Sequence, residues 1–227
     1  MTIDPAFLGV ETSITGRRWE GPTAEVERLG LAIAQRLEAP EILGRILAAR
    51  GVDVGDARAF LDPRLRDLTP DPSTLRDMDK AAEVLTAAVD QGANIAIFGD
   101  YDVDGAASSA LLVEWLRPLG LDPTIYIPDR IDEGYGPNDE AMASLARQHD
   151  LIICVDCGTL SHGPIEAAVG ANILVIDHHL PGETLPNAAA VVNPNRHDDE
   201  SGMGHLCAAG VVFLLLIAAN RLRRAVG

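Results

Sequence analysis

The chain of 227 residues is 47% hydrophobic and 23% charged, with a formal net charge of −16. That is the profile of a globular protein able to bury a core, and its acidity argues against a nucleic-acid partner held by bulk electrostatics, which needs a basic face. No run approaches the ~20 apolar residues of a membrane span, MTIDPAFLGV lacks a secretory leader, and three cysteines make no disulfide framework. A cytoplasmic protein without a membrane partner is expected. A phosphate-polymer substrate would require bound cations, or basic clusters, to reverse the local sign. The small clusters Arg17–Arg18, Arg64–Arg66 and Arg221–Arg224 read equally well as solvated surface.

In chain order, residues 1–70 read as a helical and loop-rich segment. Residues 41–51 (EILGRILAARG) have helical apolar spacing and a closing glycine, and 53–63 (DVGDARAFLDP) predict a second short helix stopped by proline. The Pro/Asp/Ser stretch LTPDPSTL is a connection, and residues 71–227 form the second domain. It opens with an amphipathic helix over 77–92. Strands are predicted at 94–99 (NIAIFG), 124–128 (TIYIP), 151–156 (LIICVD), 172–177 (NILVID) and 189–193 (AAVVN), with helices at 106–116, 138–148 and 165–169 between them. The apolar run 207–219 predicts a buried helix. Continuous apolar strands, each reached through a helix, imply an α/β fold: a parallel sheet with helices on both faces. Ligands of such sheets bind beyond the carboxyl ends of the strands.

Three of the five strands end in acid. The first runs into Asp100, Asp102 and Asp104, the third ends at Asp156, and the fourth ends at Asp177 followed by His178 and His179. A single Asp after a strand is an ordinary cap or turn residue. Parallel strands, however, bring all these ends to one rim, where like charges repel unless a cation neutralises them. A metal site is the economical reading. Carboxylates with imidazole point to Mn²⁺, with Mg²⁺ as the alternative. Two ions ~3.5–4 Å apart can hold an attacking hydroxide and a leaving oxygen on opposite sides of a phosphorus. Asp156 is the candidate bridge between them, and Asp177 a partner fixing an imidazole. The adjacent histidines should diverge, one toward metal and one toward a substrate phosphate.

Three other readings fail on the residues. D-x-D-x-D-G from Asp100 opens like an EF-hand loop, but its twelfth position is Leu111 where Glu is needed, and a strand precedes it. D-V-D-G also resembles the haloacid-dehalogenase phosphatases, which have no use for paired histidines. Cys154 and Cys157 form C-x-x-C, yet residues three apart in a strand face opposite sides, so core thiols are expected.

GDYDVDGA, VDCGT, VIDHH, and NPNR followed by SGMGHLCAAGVVF resemble successive motifs of the DHH phosphoesterases. SITGRRW, ILGRILAARG, FLDP and YIPDRIDEGYGPN narrow the resemblance to the RecJ-type exonucleases, specific for single strands and acting 5′→3′. The resemblance implies a two-ion hydrolase, usually with Mn²⁺. Asp100, Asp102, Asp104, Asp156 and His178 would ligate metal, with Asp104, Asp156 and His179 catalytic. His179, His205 and Gly210 would face substrate, the last two from a glycine-rich segment opening a helix. Single-stranded DNA is the implied substrate, in repair and recombination, with a single-strand-binding protein and a helicase as implied partners. RecJ-type proteins also continue with a further metal-binding Asp and two more domains that carry much of the basic DNA surface, so truncation after Gly227 is expected, with imperfect metal binding and weak DNA binding by this chain alone, which is expected to lack full activity. The competing readings are a DHH phosphodiesterase of oligoribonucleotides, cyclic dinucleotides or polyphosphate, and a non-catalytic DHH scaffold.

Overall fold

The computed structural model describes residues 5–226. It divides into two compact units, Met1–Pro70 and Asp71–Gly227. The first holds helices α1 (Ala24–Leu37), α2 (Glu41–Ala49), α3 (Ala57–Leu61) and α4 (Leu65–Leu68). Thr23 starts α1 by accepting the Val26 N–H at 3.3 Å. Glycines let α1 and α2 meet backbone to backbone, since a Cβ on Gly44 would lie 2.0 Å from the Gly30 carbonyl oxygen. Ile33, Leu47, Ala48, Val52 and Ala57 form this unit's small core. The helix expected over 53–63 shrinks to five residues, because the chain turns at Asp53–Asp56 before it starts and Pro63 stops it.

The second unit opens with α5 (Met78–Asp90) and carries strands β1 (Ile95–Gly99), β2 (Thr124–Tyr126), β3 (Leu151–Val155), β4 (Asn172–Ile176) and β5 (Ala190–Val192). All strand pairs are parallel, in the order β2-β1-β3-β4-β5. The remaining helices are α6 (Val103–Leu116), α7 (Asp139–Ala146), α8 (His162–Ala167) and α9 (Ala208–Val226). Each predicted strand is present, and the α/β fold class is as expected. Ile95, Ile97, Leu151, Ile153 and Ile176 pack on one face with Leu85 of α5, Leu112 of α6 and Leu215 of α9. On the other face Ala96, Phe98, Ile152, Cys154 and Val175 pack with Met142 of α7 and Ile165 of α8. Burial on both faces explains why β1, β3, β4 and β5 read as unbroken apolar runs, and each large side chain so buried contributes about 1.5–3 kcal/mol. The edge strand β2, by contrast, is largely exposed.

Cys154 and Cys157 are both buried thiols. They lie in the same apolar cluster, not on opposite faces. The strand ends at Val155, and Asp156 at φ 60° turns the chain, so strand alternation no longer applies at Cys157. Burial pushes the Cys154 thiol up to about 12, the state of an inert core residue.

From β1 the chain runs outward to the edge strand β2, then crosses back to β3 on the opposite side of β1. The carboxyl ends of β1 and β3 therefore flank the topological switch point, where open α/β sheets place their ligands. Arg196 ties the far edge together. Its guanidinium is buried and contacts Asp77 at 2.7 Å, both oxygens of Asp198 at 2.8 Å, and the Val191 carbonyl of β5. Among the described residues no helix is long and apolar enough to cross a membrane.

Candidate metal centre

Asp100 follows β1, is 3% exposed, and accepts the Tyr101 N–H at 2.7 Å. Asp102 caps α6 by accepting the N–H of Asp104 at 2.8 Å and of Gly105 at 3.0 Å. That cap starts α6 at Val103, three residues ahead of the apolar signal, and puts Asp104 in its first turn. Asp104 points across to α9, where its two oxygens accept the N–H groups of Ala208 (2.7 Å) and Ala209 (2.8 Å). A carboxylate from one helix thus caps the N-terminus of another.

Gly105 is required by contact. A Cβ there would lie 2.5 Å from the Asp100 carbonyl oxygen and 2.7 Å from its nitrogen. In an unobstructed helix Gly→Ala gains about 1 kcal/mol. Here Gly105→Ala is expected to cost about 1–3 kcal/mol through overpacking and to weaken metal binding. Urea denaturation and calorimetric titration with Mn²⁺ measure the two effects, and a stabilised variant would refute the close approach.

Asp156, at the tip of β3, is 1% exposed, and its Oδ1 receives no hydrogen bond. Burial, with the charges of Asp104 and Asp102 and a hydrogen bond to Asp102, pushes its carboxyl from 3.8 to about 8. Burial likewise raises Asp100. The N–H of Gly105 holds Asp102 below its ordinary value. Three carboxylates, Asp100, Asp102 and Asp156, bring oxygens within 4.8 Å of one another, and so do ligand atoms of Asp156, His178 and His179. Asp156 belongs to both groups.

The two imidazoles diverge. Nδ1 of His178 lies 3.2 Å from the Leu206 carbonyl. That oxygen can only accept, so Nδ1 carries the proton of the neutral ring. Nε2 then turns a lone pair toward Asp156 Oδ1 at 3.3 Å and Asp104 Oδ2 at 3.6 Å. A lone pair aimed at two carboxylates is repulsive unless a proton or cation sits between them, and the donor set suits a divalent ion. His179 is held at Nδ1 by Asp177 Oδ1, 2.8 Å away, which raises its basicity. Burial alone would raise Asp177, but the His179 ring and the Thr159 and His178 N–H groups outweigh it and hold the carboxyl at about 2. The other nitrogen of His179 lies 3.2 Å from the Tyr135 hydroxyl.

The glycine-rich segment stays at the margin. His205 is exposed in a turn, and Gly210 lies in the first turn of α9, where a Cβ would meet only Leu206 and Cys207 at 3.5 Å or more. Several residues that shape the centre lie in the motifs NPNR and YIPDRIDEGYGPN, which by themselves give them no individual role. Asn193 is fully buried and donates to the His179 carbonyl (2.8 Å) and to Thr159 Oγ1 (2.9 Å). Asn195 donates to the His178 carbonyl. Tyr135 donates to the Asp156 carbonyl at 3.2 Å. Arg130 stands at the rim, its guanidinium 5.2 Å over the Tyr101 ring.

The DHH family's N-terminal domain matches residues 94–225, the span from β1 through α9. The chain belongs to the DHH family. This DHH chain is 40% identical over 189 residues to the single-stranded-DNA-specific exonuclease RecJ of Salmonella typhimurium, covering 82% of this chain and 32% of that protein. The crystal structure of RecJ from Thermus thermophilus in complex with Mn²⁺ matches with a TM-score of 0.69 and 31% identity, over 88% of this chain and 28% of that one. The Mg²⁺ complex of RecJ from the same organism matches with a TM-score of 0.52 and 28% identity, over 88% and 24%. The DHH chain spans about a third of the length of the curated relatives it matches. The family that the motifs resemble is the family shown.

Proposed function

We propose that the chain is the catalytic domain of a single-strand-specific 5′→3′ DNA exonuclease that hydrolyses phosphodiesters at a centre of two divalent ions, Mn²⁺ or Mg²⁺, in DNA repair and recombination. The observation that carries this reading is Asp156, which has a buried, unpartnered oxygen and belongs to both clusters of ligand residues. Such an atom is costly unless a cation pairs with it. Asp100, Asp102 and Asp156 would hold one ion, and Asp104, Asp156 and His178 the other. Bound there, the pair supplies Lewis-acid stabilisation of charge at phosphorus and acidifies a water.

The side chains prepare the rest. The Leu206 carbonyl fixes the tautomer of His178, so Nε2 is free to ligate. Asp177 fixes the ring of His179, which is left to face the scissile phosphate as a proton donor. Asn193 and Asn195 anchor the carbonyls of the same pair. Single-stranded DNA as substrate is supported by likeness to the single-stranded-DNA-specific exonuclease RecJ of Salmonella typhimurium. A single-strand-binding protein and a helicase are proposed as partners.

The test is Mn²⁺-dependent release of mononucleotides from 5′-phosphorylated single strands by the full-length gene product. Asp104→Ala should lower that rate at least 100-fold, through a ligand and through the α9 cap. An unchanged rate would refute the site, a preference for oligoribonucleotides or cyclic dinucleotides would refute the substrate, and absence of Mn²⁺ binding would leave a scaffold.

A further inference from the structure

Against the metal centre, between the start of α7 and α8, lies a cleft of about 370 Å³ walled by Tyr135, Pro137, Leu160, Pro164 and His179. That volume is at the small end of ligand sites, ~300–1,000 Å³, and suits one planar base with part of its sugar.

The chemistry of the cleft is opposite to that of the centre it adjoins. No lysine or arginine lines it. Its one carboxylate, Asp177, already accepts the N–H groups of Thr159, His178 and His179 and the ring of His179. A phosphate placed there would find no cation and would meet a fixed negative charge. An uncharged, flat group would bury apolar surface against two prolines and Leu160, which is 61% exposed at the lip. Tyr135 adds an aromatic ring, steadied by its hydroxyl between the Asp156 carbonyl (3.2 Å) and the outer nitrogen of His179 (3.2 Å). His179 and Tyr135 thus stand in both the cleft wall and the metal centre.

We propose that this cleft is a nucleobase slot, which takes the base of the nucleotide whose phosphate lies at His179 through contact with Tyr135, Leu160 and Pro164. The proposal rests on the phosphodiesterase reading above, which brings a nucleotide to that point. The lining offers little to read a base edge. Ser161 has a hydroxyl that caps nothing at α8, and the other walls are apolar or committed. Stacking without edge readout accepts every base, because each has a π-face. The slot therefore favours a nucleotide over a bare sugar phosphate without favouring one sequence.

The experiment titrates the Mn²⁺-loaded chain calorimetrically with 5′-phosphorylated trithymidylate and with three forms of it that each lack one base. One abasic form should bind about tenfold or more weakly than the parent, and the other two nearly as well as the parent. Ser161→Trp, which fills the cleft without removing a cap, should bind the parent as weakly as that abasic form and no longer distinguish the two. Its Mn²⁺ affinity should stay within twofold of the wild type. If the tryptophan disturbs Mn²⁺ binding, Leu160→Ser replaces it and must weaken the parent while sparing the abasic form. Base-independent binding by a chain that does bind Mn²⁺ overturns the slot alone. A chain that binds neither Mn²⁺ nor oligonucleotide overturns the phosphodiesterase reading and the slot with it.

Discussion

Asp156→Asn is expected to raise the melting temperature of the metal-free chain while abolishing the gain that Mn²⁺ gives the wild type. The carboxyl is buried beside Asp102 and Asp104, with one oxygen unpartnered, and is displaced from 3.8 to about 8. Below pH about 3 it is neutral in the folded and unfolded chain alike. As the pH climbs toward about 8, the unfolded chain ionises freely while the folded chain resists, so the metal-free wild type loses stability across that window. Asparagine is neutral throughout, and it tolerates the φ of 60° that the position demands. At pH 8 the variant should gain about 1–4 kcal/mol, worth about 2–4 °C per kcal/mol for a domain of this size. Saturating Mn²⁺ reverses the order: at 100-fold excess over Kd it stabilises the wild type by about 2.7 kcal/mol and the variant hardly at all. Thermal melts at pH 5 and 8, with chelator or with Mn²⁺, give all four values. An equal Mn²⁺ shift in both proteins would remove Asp156 from the site.

Arg196→Met should be the most destabilising of the substitutions considered, by about 3 kcal/mol. The guanidinium is buried between Asp77, Asp198 and the Val191 carbonyl. The contact with Asp198, whose side chain is 51% exposed, contributes little in water. The cost lies chiefly in the buried β5 carbonyl, and in part in Asp77, whose side chain is 31% exposed, when both lose their partner. Urea denaturation measures it, and a second change, Asp77→Asn, should recover part of the loss by removing the stranded charge. Arg196 also closes the segment from which Asn193 and Asn195 hold the carbonyls of the histidine pair. Arg196→Met should therefore weaken Mn²⁺ binding as well, though no atom of Arg196 reaches the centre. Unchanged Mn²⁺ affinity would mean that the asparagines hold their places without it.

The sheet was legible because β1, β3, β4 and β5 are covered on both faces, so each is an apolar run with no alternation to misread. The acids were legible because they follow those runs directly. Helix α1 was open to the same treatment, with Thr23 as cap and Val26, Leu29, Ile33 and Leu37 on one face, and was passed over among loops. The motifs NPNR and EGYGPN marked some supports of the centre, but what those residues do was hidden. Leu206 acts through its carbonyl, and Asn193 and Asn195 act on backbone oxygens, contacts that any sequence offers and only the tertiary fold selects. Tyr135 lay in EGYGPN, whose glycines and proline read as turn chemistry, and its role depends on a hydroxyl reaching the backbone of β3's tip. The strand order, with its switch point between β1 and β3, likewise follows from pairing that no local pattern records.

Asp104 has a mechanical consequence. Its two oxygens hold the first two amides of a helix 19 residues long, whose distal end is pinned by Arg221 to Asp71 and by Arg223 to Asp90. A helix fastened at one tip to a carboxylate of the proposed centre cannot slide along its axis without dragging that carboxylate or tearing two charge-assisted bonds. Strain applied at Arg221 or Arg223, about 20–23 Å away at ~1.5 Å of rise per residue, would thereby reach the proposed centre, with α9 as its tie-rod.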